Sequence, residues 1–211
     1  AERELIRQNL PEVTVPEFPE HPYELPLFID KLIIDSFRVY TLTSEDKNKT
    51  EAYKANAKRK AEELTFTDIK SFIKNLQIKI EIQTAKDTNI SRIAQMTQKT
   101  NQFNLTTRRY TESDLKNMIT EGAQVYCINV SDKFGDSGIT GCAIIKNNEI
   151  DELLLSCRIL GKGIENEFLK QILRILKNNG YTQLHATYIP TLKNAQVKTF
   201  YDHNGFVLLS E

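Results

Sequence analysis

The sequence predicts a mixed α/β fold in which a mostly antiparallel sheet is flanked by helices. The first indication is the order of elements from residue 77 onward, which reads β-α-α-β-β-β-α-β-α-β. The second is that three consecutive strands in this order are joined by short segments rich in Gly, Asp and Asn, which favour hairpins. Parallel neighbours need a crossover of a dozen or more residues, so these connections imply antiparallel pairing.

The first 76 residues differ from the rest in composition. Prolines at positions 11, 16, 19, 22 and 26 break long helices between residues 1 and 40 and leave a short strand-like stretch at 12–15. Between residues 41 and 76, helical spacing with many charged and Ala residues predicts solvated connecting helices, the first capped by Ser44. We therefore predict three parts, at 1–40, 41–76 and 77–211.

Two helices of the third part carry clear sequence signals. Thr111 and Asp114 form a capping box, and apolar residues between Ile164 and Leu176 recur at helical spacing until Gly180 ends the pattern. The predicted elements are a strand at 78–82, helices around 90–97 and 111–120, strands at 124–130, 138–145 and 149–157, a helix from about 162, a strand at 182–189, a helix at 194–205 and a strand at 206–209.

Charge is unevenly distributed along a chain whose formal net charge is zero. Residues 156–199 hold seven Lys and Arg against two Glu. A neutral total argues against general nucleic-acid binding, whereas a basic C-terminal segment suits a small anionic ligand or an acidic partner surface.

Cysteines, histidines and apolar runs exclude several other classes. Cys127, Cys142 and Cys157 show neither a CxxC motif nor a secreted spacing, so we expect reduced thiols in a cytoplasmic protein. The three histidines are too scattered for a ligand pattern, so no metal is expected. No apolar run approaches the roughly 18 to 20 residues of a membrane span, so no membrane partner is expected.

A glycine-containing bend joins the apolar strand at 149–157 to the long helix. In Arg158-Ile-Leu-Gly161-Lys162-Gly163, glycine permits a tight turn and close approach of a ligand. Charge-assisted hydrogen bonds from free amides contribute about 1.5–3 kcal/mol each, against about 0.3–1 kcal/mol from the helix dipole. We expect the amides to bind a phosphate while Arg158 and Lys162 attract it. The alternative is an ordinary strand-to-helix turn.

The bend, together with the Asn194 to Phe206 stretch NAQVKTFYDHNGF, resembles the GNAT acyltransferase superfamily. The resemblance implies that coenzyme A, or the phosphopantetheine of acyl carrier protein, places its phosphate on the bend and its thiol arm along the preceding strand. It also implies that Asn194 and Tyr201 face the arm and its sulfur. The implied cofactor-binding residues are Leu155, Cys157, Arg158, Gly161, Lys162 and Gly163.

Each implied catalytic residue also has a structural interpretation. Tyr201 can protonate a leaving thiolate, because a phenol with a pKa near 10 remains an acid at neutral pH, or it can simply pack on the last helix. Asn194 can bind a pantetheine amide, cap a helix, or do both.

A narrower resemblance is carried by residues 92–115, 133–145, 153–165 and 188–201, which are similar to FkbH-like proteins of polyketide-type biosynthesis. In that family a haloacid-dehalogenase-like (HAD) domain precedes a GNAT-like domain, and the pair loads a glyceryl unit from a small acyl donor onto acyl carrier protein. The resemblance implies that residues 1–40 are the end of the HAD-like domain and 77–211 the GNAT-like domain.

The HAD nucleophile motif Asp-x-Asp-x-Thr does not occur in the chain. Phosphoryl chemistry and its Mg²⁺ are therefore expected in a missing HAD portion, and the chain is expected to be a C-terminal fragment.

The polar block around Phe103 and Leu105 predicts an acceptor pocket, with amides for hydroxyl groups and a guanidinium for a carboxylate or phosphate. The alternative is a polar surface loop that leads into the next helix. The predicted substrate-binding residues are Asn101, Asn104, Thr107 and Arg108.

Three further side chains are of types that can react. Cys157 has no identifiable base beside it, so we expect a structural thiol and not an acyl acceptor. His185 lies opposite the apolar phase of its strand, so we expect an exposed side chain and not a base, and His203 is expected on a helix surface.

The sequence thus predicts a GNAT-like domain of an FkbH-like protein that takes part in transferring a glyceryl-type acyl unit to acyl carrier protein, which docks on the basic segment around Lys162, Arg174 and Lys193. Two alternatives stay open. The domain is a docking module without chemistry of its own, or a free-standing coenzyme A-dependent N-acetyltransferase.

Overall fold

The structure is a computed structural model of the 211-residue chain, and it describes residues 2–9, 15–34 and 49–209. The chain divides into two compact units, Ala1–Lys47 and Asn48–Glu211. The predicted strand-like stretch at 12–15 lies outside the described residues except for Val15, which has no regular secondary structure. The predicted Ser44 cap also lies outside them.

The described part of the first unit is helical. It contains α1 (Glu2–Asn9), a 3-10 turn at Pro22–Glu24 and α2 (Leu25–Leu32). Arg7 donates to the Val15 carbonyl at 2.9 Å and forms an ion pair with Glu17. Pro26 lies in the first turn of α2, where a missing backbone N–H costs no helical hydrogen bond.

The second unit is a mixed α/β domain. Its helices are α3 (Lys49–Glu63), α4 (Ile69–Asn75), α5 (Ile90–Lys99), α6 (Glu112–Thr120), α7 (Ile164–Asn178) and α8 (Phe200–His203). Its strands are β1 (Lys79–Thr84), β2 (Phe103–Asn104), β3 (Gln124–Asp132), β4 (Gly135–Lys146), β5 (Glu149–Leu155) and β6 (His185–Ala186). Short 3-10 turns occupy Cys157–Ile159 and Ala195–Val197.

The sheet confirms the predicted fold class. Its order is β1-β3-β4-β5-β2 with antiparallel neighbours, and β6 adds a short parallel pair with β5. The predicted hairpin between β4 and β5 turns through Asn147 and Asn148, both with positive φ, as the tight turns of hairpins require. The predicted capping box of α6 is also present, with Thr111 and Asp114 bonded to each other's amides.

The sheet separates two apolar cores. On one face β3, β4 and β5 pack against α7 and α8 through residues that include Leu155, Phe168 and Ile172. On the other face they pack against α5 and α6 through residues that include Cys142 and Ile93. Both faces of the central strands are therefore covered, which explains why those strands read as nearly continuous apolar runs.

Helices α3 and α4 belong to the second unit. Arg59 of α3, only 7% exposed, forms two hydrogen bonds with Asp132 at the end of β3. Leu76, just after α4, is fully buried, and its carbonyl accepts from the Lys133 amide at 3.0 Å. The described side chains of α3 are mostly exposed, as expected for a solvated helix, while Arg59 and Glu62 hold the helix to the β3–β4 hairpin. The boundaries at 40 and 76 stay predictions about domains.

The predicted C-terminal elements are shorter than the sequence suggested. The strand at 182–189 is reduced to β6, because Ile189 donates instead to Leu105 and Pro190 has no amide hydrogen. The helix at 194–205 is divided into the turn Ala195–Val197 and α8. The strand at 206–209 does not form, since no strand of the described chain pairs with it.

Candidate functional site

The bend between β5 and α7 has the geometry that the glycines predicted. Gly161 and Gly163 both have φ of 75°, and a Cβ at either position would meet no atom within 4 Å. Their amide N–H groups have no acceptor within the described chain, and α7 begins at Gly163 without a side-chain cap. The bend therefore presents unpaired donors to open space at the start of a 15-residue helix.

The two cations of the bend differ in their surroundings. Arg158 is exposed, and its Nε donates to Ser156 Oγ at 3.3 Å. Lys162 is half-buried, and its Nζ donates to the Arg158 carbonyl at 3.4 Å. Burial, with the nearby Arg59 guanidinium, lowers the pKa of Lys162. Both cations lie at the bend, as predicted.

The predicted path of the thiol arm along β5 is closed by the chain itself. Leu155 is fully buried and pairs with Gly141 of β4 on one side and with Phe103 of β2 on the other. The Leu105 amide donates to the Leu153 carbonyl at 3.2 Å. We name Phe103, Asn104 and Leu105 the inserted segment. Because it fills the edge of β5, the backbone of Leu155 has no free group for an arm, and this part of the prediction needs correction.

Asn194 holds the inserted segment in place. Its Nδ2 donates to the carbonyls of Asn104 at 2.8 Å and Ile189 at 3.0 Å. Its Oδ1 accepts from the Thr191 amide at 2.7 Å and from the Tyr188 hydroxyl at 3.2 Å. The residue is fully buried. Both donors are in use, so a contact with a pantetheine amide would have to break a bond within the protein.

Tyr201 lies in the core beside α7. Its ring contacts those of Phe200 and Phe206 at centroid distances of 5.8 and 5.0 Å. Its hydroxyl is buried without a hydrogen-bond partner in the described chain, and burial raises the pKa of the phenol. The hydroxyl keeps its proton at neutral pH, as an acid must, but Tyr201 does not line the cavity that begins at Gly163.

The predicted pocket residues mostly stabilise their own loop. Asn104 is fully buried, and its Oδ1 accepts from the Thr107 amide at 2.6 Å. Arg108 forms an ion pair with Asp151, and Asn101 accepts a hydrogen bond from Arg109. Thr107 adopts a positive φ of 56°. The structure brings these residues together on one loop. The Arg108 guanidinium, which was predicted to bind a substrate carboxylate, already pairs with the carboxylate of Asp151.

Two acidic residues of β5 were missed by the sequence analysis. Asp151 accepts from Arg108 and from the Tyr110 hydroxyl, and so ties the loop to the strand. Glu152 is fully buried, its Oε2 has no partner in the described chain, and burial raises its pKa to about 7. The available signal was the occurrence of three carboxylates, those of Glu149, Asp151 and Glu152, in the strand sequence EIDELLL.

The thiols and histidines follow the expectations except at Cys157. Cys127 and Cys142 face each other across β3 and β4, and burial raises the pKa of Cys127 to about 11. Cys157 is exposed and does not pack as a structural thiol. His185 and His203 are exposed, as predicted.

The residues that the structure describes carry neither a metal-binding cluster nor a membrane-spanning helix. They contain no group of three or more His, Cys, Asp or Glu placed to hold a metal ion. Their helices lack the combined length and apolar character that crossing a bilayer requires.

Comparisons with known proteins find similarity of fold alone. No protein-family model and no curated protein matches the sequence. Similar solved structures include an aminoglycoside antibiotic 6′-N-acetyltransferase from Acinetobacter haemolyticus, with 11% identity, TM-score 0.45 and coverage of 62% of this chain and 93% of that one.

Two more acetyltransferases show the same level of similarity. Glucosamine-6-phosphate N-acetyltransferase from Arabidopsis thaliana has 15% identity and TM-score 0.43, covering 63% of this chain and 95% of that one. A GNAT family acetyltransferase from Staphylococcus aureus has 11% identity and TM-score 0.41, and the match covers 63% of this chain and 94% of that one. At these values the likeness concerns the arrangement of the chain and does not bear on activity.

Proposed function

We propose that the second unit takes part in acyl transfer and binds the phosphate of a phosphopantetheine thiol arm at the bend from Gly161 to Gly163. In the specific form that the sequence resemblance suggests, the acyl unit is of the glyceryl type and the thiol belongs to acyl carrier protein. Phosphoryl chemistry and Mg²⁺ then belong to a HAD-like domain of which residues 1–40 are the end.

One observation carries the proposal. Two amides at the start of α7 have no acceptor in the described chain, and the space in front of both glycines is open. A phosphate accepts charge-assisted hydrogen bonds at such a site, and Lys162 and Arg158 add positive charge next to it. Every helix start leaves unpaired amides that water satisfies when no ligand is bound, so the open space at both glycines and the two adjacent cations are what favour a phosphate here.

A second function is favoured by the enclosure of the predicted catalytic pair. Both donors of Asn194 are in use and the Tyr201 hydroxyl is buried. This supports the alternative in which the unit docks carrier protein while the chemistry takes place elsewhere. Coenzyme A-dependent N-acetylation is the third alternative, and it needs a proton acceptor that a substrate can reach, which the fully buried Glu152 is not.

The bend is tested by comparing Gly163→Ala with Gly180→Ala. Both glycines have positive φ and open space at the Cβ position, and they lie at opposite ends of α7, so the two variants carry similar backbone strain. We expect Gly163→Ala to weaken binding of coenzyme A or holo acyl carrier protein about tenfold or more in calorimetry, because a methyl group obstructs donors worth about 1.5–3 kcal/mol each.

Gly180→Ala should keep the wild-type affinity. Equal affinity of all three proteins, or no binding to wild type, contradicts the proposal. Mass spectrometry of mixtures with loaded carrier protein, and with acetyl-coenzyme A and amines, separates the functions. Thioester transfer supports the first, carrier binding without turnover the second, and amine acetylation the third.

A further inference from the structure

A basic groove runs along α7 from the glycine bend. It has a volume of about 560 Å³ and begins at Gly163. Lys170, Arg174 and Lys177 line one wall, and His203 of α8 lines it from the other side. Since Gly163 belongs to both features, the groove and the proposed phosphate site are continuous.

The three cations of the groove are placed to act together. Lys170, Arg174 and Lys177 occupy positions i, i+4 and i+7, which lie on one face of a helix. All three are exposed, and none forms an ion pair within the described chain. The one carboxylate in the lining, Glu167, accepts a hydrogen bond from Gln171. The groove therefore carries a net positive charge, and its three cations have no carboxylate partner in the described chain.

A second cavity, lined by apolar side chains together with polar ones such as Gln183 and His185, adjoins the basic groove. It has a volume of about 370 Å³ and shares Leu173 and Asn204 with the groove. Val207 and Leu209 belong to its lining and are 82% and 76% exposed. Exposed apolar side chains next to a row of unpaired cations are typical of a surface that a partner covers.

We propose that these two adjoining cavities form one docking groove for an acidic amphipathic helix of the carrier protein that delivers the phosphorylated arm. The inference rests on the proposed function for the identity of the partner. The 15 residues of α7 extend about 22 Å, so a partner helix of similar length can lie along it. Acidic side chains spaced by three and four residues then face the cations, and the apolar face of the partner covers Val207 and Leu209.

The position of the groove gives the docked carrier a specific orientation. An arm that leaves a partner seated along α7 meets Gly163 at the near end of the groove. This replaces the predicted docking residues Lys162, Arg174 and Lys193 with a set that lies on one face, in which only Arg174 is retained. The expected binding is salt-dependent, because exposed charges separated by about a Debye length or more are screened.

The test uses the full chain and an acidic acyl carrier protein in its apo form, which lacks the arm. The combined change Lys170→Glu, Arg174→Glu and Lys177→Glu should weaken apo-carrier binding at least thirtyfold at 100 mM salt. A matched control, Lys58→Glu, Lys70→Glu and Lys74→Glu, alters the same number of exposed lysine or arginine charges in the same unit and should change affinity less than threefold. All six side chains are exposed, so circular dichroism should show unchanged folding.

The apolar half is tested by Val207→Asp, which should weaken apo-carrier binding about tenfold. Equal loss in the groove and control triples indicates non-specific attraction and overturns the proposal, as does the absence of apo-carrier binding to wild type. Tighter binding of a nucleic-acid duplex or of a second copy of this chain in the groove also overturns it.

These experiments test the docking surface and the phosphate site separately. Gly163→Ala should weaken binding of the holo carrier and leave binding of the apo carrier unchanged. The triple change in the groove should weaken binding of both forms. If the glycine change has no effect while the triple does, docking stands and the phosphate site is wrong.

Discussion

At the scale of single residues, Asn194 connects parts of the chain that are distant in sequence. Its amide group bonds to Asn104 and Ile189, and its oxygen accepts from Thr191 and Tyr188. These bonds link the inserted segment, which pairs with β5 on one side, to the chain near Ile189 on the other.

We expect Asn194→Ala to lower the free energy of unfolding by about 3 kcal/mol, because buried carbonyls and an amide lose their partners. Chemical denaturation followed by circular dichroism measures the change. The exposed Asn178→Ala serves as control and should stay within about 0.5 kcal/mol of wild type. A stable Asn194→Ala protein that fails to bind carrier protein would instead support the predicted contact with the arm.

Glu152 makes stability depend on pH. Its pKa in the folded protein is raised from 4.5 to about 7, mainly by burial, so the folded state binds the proton more tightly than the unfolded chain does. The free energy of unfolding should therefore decrease as the pH rises from about 4.5 to about 7 and then level off, with a total change on the order of 3 kcal/mol.

Comparing wild type with Glu152→Gln by denaturation at pH 5, 6, 7 and 8 checks this. In Glu152→Gln, the decrease in the free energy of unfolding that Glu152 causes between about pH 4.5 and 7 should disappear. The exposed control Glu63→Gln should still show it. Parallel curves for Glu152→Gln and wild type would show that the carboxyl titrates as it does in water.

At the scale of elements, α3 is held to the sheet by a buried ion pair. Arg59 Nε and Nη2 donate to the two oxygens of Asp132 at 2.6 and 2.8 Å, and Glu62 of the same helix pairs with Lys133. A bidentate pair of this kind fixes the angle of the helix as well as its position.

Arg59→Ala should destabilise the second unit by about 3–5 kcal/mol, because Asp132 stays buried without its counter-ion. The double change Arg59→Met and Asp132→Asn should recover part of the loss. Thermal and chemical unfolding of the two variants measure the difference, and equal stability of the single and double variants would show that the pair is not coupled.

The elements that sequence analysis identified are those with strong local signals. The capping box of α6, the spacing of α7 and the Asn-rich hairpin are each encoded by a few neighbouring residues. The inserted segment was not found, because its two-residue strand pairs with Leu154 and Leu155 about fifty residues away.

Only the part of the candidate site that has a local sequence signal was predicted. Gly161 and Gly163 identify a bend from local sequence, and the structure places them as expected. The closure of the β5 edge, the pairing of Arg108 with Asp151 and the burial of Glu152 depend on contacts between segments that no periodicity reveals.

At the scale of the whole molecule, both apolar cores lie within the second unit. Their buried members run from Ile90 to Tyr201, and none comes from the part of the first unit that the structure describes. A unit that contains its whole core can fold alone.

We expect a chain of residues 48–211 to unfold cooperatively, with the same midpoint as the full chain within about 2 °C, as measured by calorimetry. A lower midpoint or a broad transition would mean that residues 1–47 contribute to the stability of the second unit. The comparison requires no knowledge of a ligand.

The open glycine bend should also be detectable from the rate of amide hydrogen exchange. Gly161 and Gly163 are exposed and their amide hydrogens have no acceptor in the described chain, so these hydrogens should exchange with deuterium nearly as fast as in a short peptide. The Leu105 amide is fully engaged with the Leu153 carbonyl of β5 and exchanges only when the inserted segment separates from that strand. Slowing confined to the two glycines therefore reports occupancy by any anion, even one whose identity is unknown.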